Sequence, residues 1–260
     1  MLRAVTSPHA TALRSLAIAA PAYNEAAGIE ACVSRWIDAL SCRTALAHAE
    51  IVVCNDGSRD ETGALLDRLA DRSPIVRPVH LSRNRGAAQA MRTAIANTRA
   101  QWVLLLDSDG QFPIDCLDAF ETALVAAPDA QALLGERTHK EDAGFARAGA
   151  HLTTAALNAL HGTRYRDLSS ACQLVRGDVL RAMPIDARGL NYSVEISSRL
   201  LEAGIRPIAV PIVHRAREAG RSTRTLVRST FERGAIVSYL AMRRALLATR
   251  VISTHLGESA

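Results

Sequence analysis

Lysine is nearly absent: Lys140 is the only one, so 30 of the 31 basic residues are arginine. Together with abundant alanine, this reads as codon bias more than as a chemical demand. Aromatic residues are 4% of the chain, too few for a platform that stacks single-stranded nucleic acid. The sequence pI is near 9.3, but the arginines are scattered, and no nucleic-acid partner is expected. Cys32, Cys42, Cys54, Cys116 and Cys172 are odd in number and lack C-x-x-C spacing, which argues against a zinc or dithiol site and for a reducing, cytoplasmic setting. The eight histidines show no H-E-x-x-H or H-x-x-x-H spacing, so zinc hydrolysis is not expected. No apolar run reaches the roughly eighteen residues that a membrane-spanning helix needs, and Arg243 and Arg244 break the best late stretch, 235–248. Residues 1–20 lack the long apolar core of a secretory signal, so none is expected.

What remains is ample for a globular enzyme: 260 residues, 48% hydrophobic, 22% charged and a net charge of +5. Short apolar runs at 16–20, 51–54, 76–81, 102–106 and 131–134 read as strands. Helical spacing follows each of the first four, at 24–40, 62–69, 86–98 and 113–126. That alternation predicts an α/β fold with a mostly parallel sheet, whose working residues sit at the C-terminal ends of the strands. Beyond Gly135 the expectation is a helix over 148–161, a hairpin-like region at 167–175, further helices, a strand at 208–213 and a helix over 226–252. The chain divides into an N-terminal extension (1–14), a catalytic domain (15–224) and a C-terminal helical tail (225–260).

Acidic and small polar residues gather where those strands end. Asp107-Ser108-Asp109 follows an apolar strand directly, and two carboxylates one residue apart suit a hard cation, Mg²⁺ or Mn²⁺, with sites left over for a diphosphate. A solvated turn is the plainer alternative. Asp56, in Asn55-Asp56-Gly57-Ser58-Arg59-Asp60, can accept from the imino N–H of uracil or guanine; an Asp-Gly turn with Ser58 and Asp60 capping the next helix is the bland reading. Arg83-Asn84-Arg85-Gly86 precedes a helix N-terminus, a setting that favours phosphate.

These segments, in this order, make the chain resemble the inverting family 2 glycosyltransferases of the GT-A fold, and among them the dolichyl- and polyprenyl-phosphate sugar transferases. The resemblance rests on P-A-Y-N-E at 21–25, N-D-G-S-R-D at 55–60, L-S-R-N-R-G at 81–86, D-S-D-G-Q at 107–111 and H-R-A-R-E-A-G-R-S-T at 214–223. It implies a Rossmann-type sheet flanked by helices. It also implies that Pro21, Tyr23, Glu25, Asp56 and Ser58 hold the nucleotide, and that Asp107, Asp109 and Gln111 hold the metal and diphosphate. Arg137, Arg147, Arg215 and Arg217 would meet sugar and acceptor phosphate, with Asp109, Asp167 and Arg217 closest to the chemistry. Asn55 departs from the pattern, standing where many relatives carry a second Asp, and so does His151, where a Ser is usual.

The reaction so implied is inverting transfer from a nucleoside-diphosphate sugar. A lipid-phosphate acceptor is already ionised and needs no base, whereas a hydroxyl acceptor on a glycan, lipid or small metabolite needs one, with Asp167 or Glu195 the candidates. Either carboxylate could instead orient an arginine. Without a spanning helix, contact with a membrane is expected to be peripheral or through a membrane partner; the helix after Thr225 could serve it, or else pack against the domain or a second copy. A sugar-phosphate nucleotidyltransferase would need a Gly-rich loop after the first strand, where Tyr23-Asn24-Glu25 stands. An inert binding protein would more readily have lost one of the paired acids.

Overall fold

The computed structural model describes residues 13–138, 144–187, 191–215 and 226–248, with the side chains of 144–148, 226–233 and 248 excluded. Seven strands form one sheet in the order β3-β2-β1-β4-β6-β5-β7. They are β1 Ser15–Ala22, β2 His48–Asn55, β3 Val76–His80, β4 Trp102–Leu105, β5 Ala132–Arg137, β6 Gln173–Arg176 and β7 Ile208–Ile212. Neighbours pair in parallel except β6, which runs antiparallel between β4 and β5. The mostly parallel α/β sheet is thus as expected. The 167–175 region is not a hairpin; its single strand is inserted between two partners from distant parts of the chain. β1 also runs past the apolar stretch 16–20, through Pro21 to Ala22. Pro21 pairs opposite Cys54, and its ring faces no ladder on the other side because β4 stops opposite Ala19.

Alternate residues of the central strands feed opposite faces, as a period of two demands. Leu16, Ile18, Ile51, Val53 and Leu104 pack with α1 (Ile29–Ser41), α2 (Thr62–Arg72) and α4 (Cys116–Ala126). Ala17, Ala19, Val52, Val103 and Leu105 pack on the other face with α3 (Ala87–Ala96), α6 (Gly177–Ala182) and α7 (Tyr192–Glu202). Helix α1 shows why the spacing works: Ile29, Cys32, Val33, Trp36 and Leu40 make one buried stripe. Each fully buried Leu or Ile in these layers contributes about 1.5–3 kcal/mol relative to exposure. Both edge strands carry a proline, Pro78 and Pro211, which discourages pairing with another sheet.

Helix α7 is buried from Tyr192 through Leu200 without a break. The sheet covers one side of it, and a third cluster, in which Val194 meets Leu157 of α5 (Gly144–His161) and Ile236 and Leu240 of α8 (Leu226–Ala248), covers the other. The C-terminal helix therefore uses its apolar face to pack on the domain. Leu13, in the stretch read as an N-terminal extension, is fully buried in the first cluster. No helix among the described residues is long and apolar enough to cross a membrane.

Candidate active site

Strand order reverses between β1 and β4, with β2 and β3 on one side and the other strands on the opposite side, so a crevice opens outside their carboxyl ends. Four loops meet there. The first two are clasped by short polar side chains. Asn24, in the left-handed region at φ 54°, donates its N–H to Ser58 Oγ (3.0 Å) and accepts from Arg59 N–H (2.9 Å). Glu25 N–H donates to Thr62 Oγ1 (2.9 Å), and Ala26 N–H to Asp60 Oδ2 (3.1 Å). Asn tolerates this backbone better than most residues. Asp60 also accepts from Thr62 N–H (3.0 Å), but Glu61 stands at the N-cap of α2 with no side-chain cap, and Ser58 serves the Asn24 clasp, so neither expected cap forms.

Asp56 is almost fully buried, and its two oxygens accept from the N–H groups of Arg85 (2.7 Å) and Gly86 (2.8 Å). Burial pushes its carboxyl above the usual carboxylate range, against the lowering by those two amides. It therefore ties the loop after β3 to the loop after β2. Gly57 completes that junction: its φ is +65°, and a Cβ there would lie 2.4 Å from the carbonyl carbon of Arg83. Asn55 shows what the amide accomplishes where a second Asp is common. Its oxygen accepts from Ser58 N–H (3.0 Å), and its nitrogen lies 3.0 Å from His80 Nδ1; with the amide donating, the ring proton sits at Nε2, 3.0 Å from Asp67.

After β4, Ser108 is buried and donates its hydroxyl to Pro21 C=O (2.8 Å), so the loop carrying the paired acids is fastened to the end of β1. Asp107 and Asp109 flank it, both half-buried. Asp107 Oδ1 accepts from the Tyr192 hydroxyl (2.7 Å), and Asp109 Oδ1 from Gln111 N–H (3.1 Å). Among the described residues no group of three His, Cys, Asp or Glu side chains gathers in a way that could hold a metal. Two hard carboxylates fit Mg²⁺ or Mn²⁺ only as a partial shell that ligand oxygens complete, which is the donor set a diphosphate-bound cation requires.

The segment after β7 reaches the same loop. Arg215 N–H donates to Gln111 C=O (2.9 Å), the Gln111 amide donates back to Arg215 C=O (3.4 Å), and the rings of His214 and Phe112 meet edge to face at 4.9 Å. Arg215 thus lies beside the paired acids with its side chain exposed. Arg217 lies outside the described residues, and Arg147 falls on α5 but its side chain lies outside what is described. Arg137 differs from the open phosphate fork that the sequence suggests: Nε and Nη2 bind the buried Asp167 carboxylate at 2.6 and 3.1 Å, and Nη2 also donates to Ser169 Oγ. Asp167 therefore orients an arginine, and Ser169 occupies it further. Glu195, the other base candidate, is fully buried on Arg199 and on the N–H groups of Asp186 and Ala187. Beside Arg137, a cavity of about 560 Å³ is lined by Glu136, Thr138, His151, Asn158, Tyr165 and Arg166, among others.

Tyr192 is the residue that sequence reading misses. It lies 85 positions from Asp107, and the usable signal, a tyrosine at the start of a helix whose hydroxyl must find a partner if buried, names no partner.

The fold and the crevice define a mostly parallel α/β domain with a cleft at the reversal of strand order, and comparison makes the class specific. Residues 17–183 match the family model described as "Glycosyl transferase family 2", and the chain belongs to that family. It is 29% identical over 129 residues to a dolichyl-phosphate beta-glucosyltransferase of Trichomonas vaginalis, covering 47% of this chain and 38% of that one. It is 26% identical over 215 residues to an undecaprenyl-phosphate 4-deoxy-4-formamido-L-arabinose transferase of Sodalis glossinidius, covering 82% and 64%. The chain thus spans about half the length of the curated relatives it matches. Among solved structures, Mycobacterium tuberculosis glucosyl-3-phosphoglycerate synthase in complex with Mn²⁺, UDP-glucose and phosphoglyceric acid superposes with a TM-score of 0.67 at 21% identity, over 91% of this chain and 81% of that one, which shows a shared GT-A fold.

Proposed function

We propose that this protein transfers a sugar, with inversion, from a nucleoside-diphosphate sugar to a polyprenyl-phosphate acceptor. The observation that carries the acceptor assignment is the state of the two candidate bases. Asp167 is taken up by Arg137 and Ser169, and Glu195 by Arg199 and two backbone amides. A hydroxyl nucleophile needs a base to take its proton, whereas a phosphate monoester attacks as the anion it already is. The names of the relatives, dolichyl-phosphate and undecaprenyl-phosphate transferases, support the same acceptor class.

In this reading Pro21, Tyr23, Glu25, Asp56 and Ser58 surround base and ribose. Asp107, Asp109 and the amide oxygen of Gln111 would hold Mg²⁺ or Mn²⁺. That cation would neutralise the departing nucleoside diphosphate. Arg83 and Arg85, exposed before the N-terminus of α3, add positive potential at the diphosphate side. Arg215, with Arg147 and Arg217, receives the acceptor phosphate, while Arg137, fixed by Asp167, walls the cavity on the acceptor side. The protein's main contribution is positioning and preorganised charge, since the acceptor supplies its own nucleophile. The reaction site would meet the bilayer peripherally.

The test is release of nucleoside diphosphate from a panel of UDP- and GDP-sugars with Mn²⁺, with and without a short polyprenyl phosphate. Release that depends on the lipid is expected. Release that instead follows an added hydroxyl acceptor would replace the lipid phosphate by that acceptor, and silence across all donors would remove the transferase reading.

A further inference from the structure

The Tyr192 hydroxyl lies 2.7 Å from Asp107 Oδ1, and the tyrosine has no exposed surface. We infer that Tyr192 is the positioning residue for the first of the paired acids, fixing the plane of the Asp107 carboxylate so that its second oxygen is presented to a cation. The inference rests on the metal reading given above and adds a residue to it.

Asp107 stands two residues past the end of β4, one beyond Leu106, whose N–H makes the last bond to β1 at Ala19 C=O (3.1 Å). A carboxylate there rotates about its terminal torsion at little cost, and each orientation it samples away from the cation lowers the affinity of a site with only two acids. A buried hydroxyl donor removes that freedom. Tyr192 is suited to the task because it cannot swing away. It begins α7, the helix whose first nine residues are all buried between the sheet and the α5–α8 layer.

The other end of α7 is anchored too. Arg199 bonds Glu195, Asp186 and the Tyr239 hydroxyl of α8, and the buried Glu202 bonds Arg243 of α8 at 2.9 Å. Asp107 is thereby referenced to the body of the protein and to its C-terminal helix, not only to its own loop. Outer-shell partners of metal ligands change metal affinity by about 10–100-fold when removed.

Tyr192→Phe keeps the ring and deletes the hydroxyl. Mn²⁺ binding to the full chain, in the presence of UDP and separately of GDP, is followed by the loss of the free-ion electron paramagnetic resonance signal. Nucleotide binding in EDTA and the melting temperature are measured alongside. The expected result is Mn²⁺ affinity lower by about 10–100-fold, with metal-free nucleotide affinity unchanged and melting shifted by no more than a few degrees. A tyrosine that merely fills the core keeps its ring in the Phe variant, so Mn²⁺ affinity would stay close to that of wild type, and that result overturns the inference while the metal reading stands. A wild type that binds no Mn²⁺ with either nucleotide overturns the metal reading, and this inference with it.

Discussion

Around the crevice, the two halves of the molecule are fastened by different chemistry. On the β1–β4 side the loops are joined by short side chains bonding to backbone: Asn24 with Ser58 and Arg59, Asp60 with Ala26, Asp56 with Arg85 and Gly86, Ser108 with Pro21. On the β5–β7 side, ion pairs between long side chains do the equivalent work: Arg137 with Asp167, Arg199 with Glu195 and Asp186, Arg243 with Glu202. Short clasps fix a shape to which a nucleotide can be fitted. Charged networks fix a shape too, but they also set the potential an anionic acceptor meets, and they fail abruptly when one partner is removed.

The largest expected effect separates the halves by function. Asp107→Ala or Asp109→Ala should reduce sugar transfer by about 10²–10³-fold or more, because leaving-group charge is no longer offset. Both side chains are half-buried on a loop fastened by Ser108, so melting should barely move for Asp109→Ala, whereas Asp107→Ala also takes an acceptor from the buried Tyr192 hydroxyl and should lose about 1–3 kcal/mol. Nucleoside diphosphate release and differential scanning calorimetry on the same samples check this. A collapse in stability would mean that the acids belong to the scaffold.

The mirror experiment is Asp167→Asn, which leaves the half-buried Arg137 guanidinium facing a buried amide. Breaking a buried pair typically destabilises by about 3–5 kcal/mol. Urea unfolding should show a loss of that order, with transfer impaired through the acceptor side: a raised KM for the acceptor and unchanged affinity for the donor nucleotide. An unchanged unfolding midpoint would show that the pair is dispensable.

Gly57→Ala probes the clasp of the first half. The added methyl would sit 2.4 Å from Arg83 carbon at a φ of +65°, and left-handed backbone alone costs a non-glycine residue about 1–2 kcal/mol. Weaker nucleotide binding is expected together with destabilisation of that order or greater, because the loops after β2 and β3 must separate. Isothermal titration with UDP and GDP measures the first effect and urea unfolding the second.

The same division explains what could be read before the fold was known. Asp56-Gly57, the paired acids and the strands before them were legible, since the clasps lie within short motifs whose residue types already state their chemistry. Asn24, Ser58 and Thr62 were partly legible: they sat in the right segments, but the bonds between those segments needed the register of β1 against β2. Separation alone does not distinguish the halves, since Asp56 and Arg85 lie 29 positions apart and Ser108 and Pro21 lie 87; but in the second half Arg137 and Asp167, 30 apart, and Arg243 and Glu202, 41 apart, sit in no motif that names their partners. In a chain with 30 arginines, composition says nothing about which of them is spent on which acid. β6 was misread for a related reason. An antiparallel strand inserted between two distant partners leaves no turn signal of its own.

The smallest effect is also the one that sets the halves most directly against each other: their responses to acid should have opposite sign. His161, buried at the end of α5 with Nε2 2.8 Å from Ser198 Oγ, is lowered to about 4 by burial first and by the Arg244 charge second. Its folded value lies below its unfolded one, so the neutral ring contributes stability that is full above about pH 6.5 and is lost as pH falls toward 4. Asp56 is raised above 3.8, mainly by burial, so its ionised form is the less favourable one in the folded state. Stability from that group is recovered, not lost, as pH falls through its raised value, although a base held by the charged carboxylate would be released over the same range. Hydrogen exchange, corrected for the intrinsic pH dependence of the amides, should then show protection falling in α5, α7 and α8 between pH 7 and pH 4.5 while the Arg85–Gly86 amides that Asp56 accepts keep theirs. His161→Gln should flatten the first response and leave the second. Equal loss of protection in both halves would mean that they unfold as one unit, and that the contrast between clasps and ion pairs has no energetic consequence.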